Sequence, residues 1–206
     1  MQYLTALSII SATSALSIAS EPVTGLTPLC NQPGQLCELD SQKYLGSWFE
    51  IGSTAIIKNF VQKDCECVTA NYVLNNPLEI GVTNTCVNSK TKEPVLIRGT
   101  AKILSSSELK VDFGVGNAPG SQNGGDEPNY VVKNVWVDEH GNYQRSLVTS
   151  PLRPNAPAAV QFTWILSRTP TITPAEVDEI LQYAVASGYS PKEAGFSATE
   201  QVSCRN

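Results

Sequence analysis

Eight short runs of strand-forming residues, joined by links that alternate between tight and long, constrain this chain more than any other feature of it. The runs fall near 46–54, 66–74, 79–87, 94–104, 108–114, 129–138, 142–149 and 160–167. Alternation is clearest in Leu109-Lys110-Val111-Asp112-Phe113 and at Val68, Ala70, Tyr72 and Leu74, where one face is apolar and the other more polar. Asn75-Asn76-Pro77-Leu78, Ser105-Ser106-Ser107 and Glu139-His140-Gly141 are tight turns, whereas residues 55–65, 88–93, 115–128 and 150–159 are long links. In an up-and-down antiparallel meander, successive connections lie at opposite ends, so the short turns close one end and the long loops surround the other. Eight strands that close on themselves remove both sheet edges and leave an interior able to hold one small ligand. The expected fold is therefore all-β, an eight-stranded up-and-down antiparallel barrel.

Beyond the last run the hydrophobic period changes from two to about 3.6. Thr173 is a good N-cap, Pro174 suits the first helical position, and Glu176 three residues after Thr173 completes a capping box. Val177, Ile180, Leu181, Ala184 and Val185 line one face, and Gly188 stops the helix. A single amphipathic C-terminal α-helix after a barrel should pack on its outside. The tail, with a further turn near Pro191 to Gly195, should return to the barrel so that Cys204 can be crosslinked.

The 206 residues suffice for one ordinary domain. A formal net charge of -5 leaves no basic footprint for phosphates, which excludes nucleic acid and polybasic attachment to anionic membranes as expected partners. The first residues, MQYLTALSIISATSALSIAS, carry no charged side chain and end in small residues. Ser17-Ile18-Ala19 fits the small-x-small rule, so residues 1–19 read as a cleaved signal peptide and 20–42 as a Pro- and Gly-rich N-terminal arm. No second apolar span follows, and the mature protein is expected to be secreted, with no transmembrane segment and a monomer by default. Six cysteines after a leader, Cys30, Cys37, Cys65, Cys67, Cys86 and Cys204, read as three disulfides of open connectivity. Cys65-Glu66-Cys67 is too tight for the usual zinc pattern and His140 is the only histidine, so neither metal nor cofactor is expected.

Four segments carry a family likeness. Gly46-Ser47-Trp48 lies in KYLGSWFEIG, CVTANYVL spans Cys67 to Leu74, NYVVKNVWVDEHGNYQRSLV spans Asn129 to Val148, and FTWILSRTPTI spans Phe162 to Ile172. On these the chain resembles the lipocalin family, in its apolipoprotein D and bacterial lipocalin branch, over about residues 43 to 204, and 43–206 is taken as the lipocalin domain. It departs from the family where T-D-Y is reduced to Val137-Asp138-Glu139, with Tyr143 further on. The resemblance implies that Arg168 lies across the Trp48 ring at the closed end, where a cation–π contact contributes about 0.5 to 2 kcal/mol. Gly46, Trp48 and Arg168 are then architecture rather than ligand contacts. It also implies a Cys67–Cys204 disulfide. Cys65 and Cys86 are then the next pair, on neighbouring strands at one rim, and Cys30 and Cys37 remain as a local loop. Cys30 resembles an N-terminal family cysteine, but the partner expected near the seventh strand is absent.

A barrel of this size suits a secreted carrier of a small hydrophobic ligand such as a fatty acid, another lipid, a retinoid or a tetrapyrrole. Inward faces place Val68, Ala70, Tyr72, Leu109, Val111, Phe113, Tyr130 and Phe162 in the lining, though parity alone does not separate a cavity from a filled core. Two alternatives stand beside it. A lipocalin-fold enzyme acting on a lipophilic molecule would need a reactive group, for which only a thiol among Cys65, Cys67 and Cys86 offers itself. His140 sits in a turn at the closed end, and no G-x-S-x-G, H-E-x-x-H, G-x-G-x-x-G or P-loop is present. A protein-binding or defence module would use the rim loops, above all the Gly- and Asn-rich stretch at 115–128, which reads as a lid, a recognition loop or disorder.

Overall fold

Along the strand at Cys65–Asn76, Val68, Ala70 and Tyr72 are buried while Thr69, Asn71 and Val73 are more open to solvent, the period-two signature of a wall with one enclosed face. The computed structural model describes residues 25–114, 127–150 and 161–204. The expected leader, the first residues of the arm, most of the 115–128 loop and nearly all of the 150–159 link fall outside these. Within them lie β1 (Thr27–Pro28), α1 (Ser41–Tyr44), β2 (Gly46–Ser53), β3 (Cys65–Asn76), β4 (Glu79–Asn88), β5 (Pro94–Ile103) and β6 (Glu108–Asp112). There follow β7 (Tyr130–Val137), β8 (Tyr143–Thr149), β9 (Thr163–Ser167), α2 (Pro174–Ala186) and β10 (Ser197–Ala198). A π-helical turn at Ile57–Val61 sits in the first long link.

From β2 to β9 each strand pairs antiparallel with the next, and β9 pairs back onto β2 through Phe49↔Ser167 and Glu50↔Leu166. The result is a closed eight-stranded barrel with no free edge around the ring. The eight strands coincide with the eight runs of the sequence to within three residues at each end. β1 adds a short strand outside the ring, pairing Thr27 and Pro28 with Val137 and Trp136 of β7.

Two cores result. The inner one gathers Tyr44, Trp48, Tyr72, Val82, Leu109, Val132, Val148 and Leu166 inside the barrel. The outer one packs Ile180, Leu181 and Ala184 of α2 against Ile51, Trp136, Leu147 and Ile165 on the barrel's outer face. Each fully buried large aliphatic side chain here contributes about 1.5 to 3 kcal/mol by leaving water. α2 begins as its sequence dictates: the Thr173 hydroxyl accepts from the Glu176 N–H and the Glu176 carboxylate accepts from the Thr173 N–H. Val185, expected on the buried face, is 57% exposed. It lies roughly 80° around the helix from Val177, at the margin of the apolar stripe.

The ladder between β2 and β3 runs only from Gly46↔Tyr72 to Phe49↔Thr69. Above it β2 bulges between Glu50 and Gly52, β3 shifts register between Glu66 and Thr69, and the strands part. The C-terminal segment fills the gap. β10 pairs Ser197 with Ser53 and Ala198 with Gly52, the Thr199 N–H donates to the Ile51 carbonyl, and the Cys67 N–H donates to the Glu200 carbonyl. The Gln201 side-chain amide then bridges both strands, donating to the carbonyls of Glu50 (2.9 Å) and Val68 (2.8 Å). Disulfides join Cys67 to Cys204, Cys65 to Cys86 and Cys30 to Cys37.

Candidate ligand cavity

At the closed end Gly46 adopts φ +90°, a left-handed conformation that favours glycine, and Arg168 Nη1 lies 3.6 Å from where a Cβ would stand. The Arg168 guanidinium is 3.7 Å from the centre of the Trp48 ring. It donates to the carbonyls of Ser47 (2.7 Å), Leu45 (2.8 Å) and Lys43 (2.9 Å). Trp48 is fully buried, and its indole N–H donates to the Tyr44 carbonyl at 2.8 Å. The arm closes the floor from beneath: Cys37 and Leu39 are buried in the inner core, and the Asp40 N–H donates to the Tyr143 hydroxyl.

Above this floor is a cavity of about 110 Å³. Of the residues expected to line it, Val68, Ala70, Tyr72, Val111, Phe113 and Tyr130 do so. Two do not. Leu109 lies two residues nearer the short β5–β6 turn than Val111 and belongs to the packed core below the cavity. Phe162 lies one inward position beyond Trp164 and stacks on its ring, 6.1 Å between centres and 14° between planes, outside the lining. Strand parity gave the correct side of the wall in both cases but not the height. The sequence reading passed over Trp164 and Leu166, which share Phe162's parity, and Glu50, Ile57, Gln62 and Asn84.

Aromatic rings form a continuous column from floor to mouth: Trp48, Tyr44, Tyr72, Tyr130, Trp164 and Phe162, with successive centres 5.0 to 6.3 Å apart. Within it three phenols share protons. Tyr72 and Tyr130 hydroxyls are 2.9 Å apart, Tyr130 and Tyr44 3.2 Å, and Tyr44 lies 2.9 Å from Ser146 Oγ. Burial pushes the Tyr44 hydroxyl up to about 12, against the opposing effect of its bonds to Ser146 and Tyr130 and of the nearby Arg168 charge. Burial raises Tyr72 and Tyr130 strongly as well, with neighbouring phenols adding to the effect. All three stay protonated and neutral across the physiological range.

Glu50 is the one residue with a formal charge among the described residues of the lining, and it is occupied. Lys58 Nζ stands 2.7 Å from its Oε1, the hydroxyls of Thr199 and Ser53 donate to the same oxygen, and Gln62 donates to Oε2. This cluster ties the first long link and the C-terminal segment to the wall and leaves no net charge there. Asn129 is also satisfied, pairing with the N–H and carbonyl of Val111 at 2.8 Å each. Asn84 is not: its Oδ1 is buried with no hydrogen-bond partner. No free cysteine and no cluster of His, Cys, Asp and Glu suited to a metal is found among the described residues. Cys65, Cys67 and Cys86 are all in disulfides, so the thiol on which an enzymatic reading would draw is engaged. His140 is an exposed turn residue beside Glu139 at the closed end.

A closed up-and-down barrel, sealed by an arginine-capped tryptophan at one end and cupping a mainly apolar cavity towards the other, defines a class of small-molecule-binding calyx. The chain belongs to the lipocalin family, whose lipocalin-like domain model matches residues 39–198. A protein of Acanthamoeba polyphaga mimivirus described as a lipocalin is 31% identical over 159 residues, covering 73% of this chain and 79% of its own. The outer membrane lipoprotein Blc of Citrobacter freundii is 29% identical over 153 residues, 73% of each chain. Among solved structures, the cockroach allergen Per a 4 superposes with a TM-score of 0.58 at 17% identity, covering 85% of this chain and 96% of its own. Apocrustacyanin C2 does so at 0.56 and 16%, covering 80% and 81%. These two likenesses bear on the fold alone. The fold supports binding of small hydrophobic molecules, the three disulfides suit an extracellular or cell-envelope setting, and no helix among the described residues is long and apolar enough to cross a membrane.

Proposed function

We propose that this protein is a secreted carrier that takes one end of a small hydrophobic molecule into the barrel. The observation that carries the reading is the cavity itself: Val68, Ala70, Val82, Val111, Phe113 and Leu166 surround a space closed below by packed aromatic rings. Such mainly apolar concavities with a few polar groups are the usual form of a small-molecule site. At about 110 Å³ it is smaller than the few hundred Å³ that encloses a drug-sized ligand. A fatty acyl, retinoid or comparable ligand is therefore held by its inner end, with the remainder at the mouth. Secretion is supported by the uncharged, small-residue-terminated leader and by three disulfides, which belong to oxidising compartments.

The test is tryptophan fluorescence during titration with a panel of retinoids, fatty acids and tetrapyrroles. Trp164 lines the cavity, whereas Trp136 is packed under α2 on the barrel's outside. A saturable change should appear with at least one ligand class, be lost in Trp164→Phe and persist in Trp136→Phe. No response across the panel, or a response that depends on Trp136, overturns the carrier reading.

A further inference from the structure

The four hydroxyls Ser146, Tyr44, Tyr130 and Tyr72 form a chain whose protons can be counted. There are four O–H protons and three hydrogen bonds, so one proton is left over. Ser146 is fully buried and bonds only Tyr44 among the described residues, so its proton is paired only when Ser146 donates to Tyr44, the direction favoured by the cost of an unpaired buried donor. Tyr44 has only Ser146 and Tyr130 as hydroxyl partners and therefore passes its own proton towards Tyr130. The surplus proton then belongs to Tyr72 or Tyr130, the two phenols of the chain that line the cavity. Whichever of them donates to the other, the cavity floor presents one uncommitted O–H donor.

Two further features bear on what that donor meets. Among the described residues of the lining, Glu50 alone is formally charged and is matched by Lys58, so these residues offer no spare cation to an anionic ligand. Asn84, paired with Ala70 one inward step above the Tyr72↔Val82 level, has a buried amide oxygen that no protein group satisfies. A buried polar group left unpaired is costly, and a ligand hydroxyl can satisfy it where a carboxylate, which has no proton to give, cannot.

We propose that the cavity selects uncharged lipophiles whose inner end carries a neutral oxygen, an alcohol above all, and disfavours carboxylates of the same chain length. The phenol at the floor donates to that oxygen, and an alcohol proton remains for Asn84. This specificity rests on the carrier reading and goes beyond it, because a purely apolar cup would penalise an alcohol oxygen as well as a carboxylate and favour the alkane or the ester over the alcohol.

Displacement of the neutral dye Nile red by octan-1-ol, methyl octanoate, octane and octanoate at pH 7.5 tests it. Octan-1-ol should bind at least about tenfold tighter than octanoate, since a buried carboxylate without a cation forfeits more than one hydrogen bond's worth of free energy. The relay adds a signature that ordinary packing does not produce. In Tyr72→Phe the surplus proton stays on Tyr130, and in Tyr130→Phe the Tyr72 proton is itself free, so each single variant keeps most of the octan-1-ol affinity. The double variant should lose about tenfold for octan-1-ol and nothing for octane. Octanoate binding as tightly as octan-1-ol, or single variants that already show the full loss, overturns the proposal while leaving a carrier in place. Failure of all four compounds to displace the dye overturns the carrier reading beneath it. Should the double variant not fold, the unaltered protein decides through methyl octanoate, which accepts from the phenol but has no proton for Asn84: octan-1-ol should bind more tightly than the ester, and an ester that binds as tightly or more tightly overturns the proposal.

Discussion

Arg168 does at one position what several residues would otherwise share. Its guanidinium covers the Trp48 ring and holds carbonyls of the turn that leads into β2. Removing it should strand those carbonyls and uncover the ring. Arg168→Ala is expected to lower unfolding stability by about 2 to 4 kcal/mol in urea titrations. Arg168→Lys should recover less than half of this, because an ammonium cannot hold a fork of carbonyls while lying flat on an indole. Gly46, Trp48 and Arg168 were legible in the sequence because each sits in a short, distinctive local pattern. Asn84 and Glu50 were not, since a polar residue on an inward face looks the same in sequence whether it is satisfied by a neighbour or faces a cavity. Leu109 and Phe162 show the complementary limit: alternation says which side of the wall a residue takes, not where along the barrel the packed floor ends and the mouth begins.

Among the elements, α2 is fixed at its first turn by one carboxylate with two duties. Glu176 Oε2 accepts from the Thr173 N–H, and its Oε1 accepts from the Arg145 guanidinium of β8 at 3.0 Å. Burial by itself would raise the Glu176 carboxyl, but the bonds from Thr173 and Arg145 together outweigh it and hold the group below the usual carboxylate range. A lowered folded value means that the contribution is present above the unfolded carboxylate pKa and is lost as pH falls through the folded one. Glu176→Gln should therefore destabilise the protein at pH 7 and narrow its gap to the parent as urea midpoints are followed down towards pH 3. Thr173→Ala, which removes the cap hydroxyl alone, should cost about 1 kcal/mol at either pH. The capping box and the eight strands were readable because turn chemistry and period are local signals. The π-helical turn in the first long link and the two-residue strand β10 carry no such period, and they exist only through what they pack against.

For the molecule as a whole, the alternation of link lengths sufficed to foresee the ring order, because a meander has few other ways to close. It did not foresee that β2 and β3 part above Phe49↔Thr69 and are bridged there by the C-terminal segment, although the family resemblance implied that segment's Cys67–Cys204 tie. One Gln amide and a disulfide close the seam, and neither gives a repeating pattern. The Cys67–Cys204 bond spans 137 residues, a separation at which a crosslink typically adds about 3 to 5 kcal/mol by restricting the unfolded chain. Replacing both cysteines by serine should lower the melting temperature and, in hydrogen exchange, speed the amides of Cys67, Thr199 and the upper half of β2 more than those of β7 and β8. Uniform acceleration around the barrel would contradict a seam between β2 and β3.

That seam also sets an order of events during synthesis. The Gln201 amide that bridges the two strands is 133 residues beyond Val68 and 151 beyond Glu50. A growing chain can assemble its hairpins as they emerge, but the upper gap between β2 and β3 stays unbridged until Gln201 has left the ribosome. The late, long-range closure of an early hairpin is the kind of step that slows folding, and it makes the first hairpin the last part of the wall to be finished.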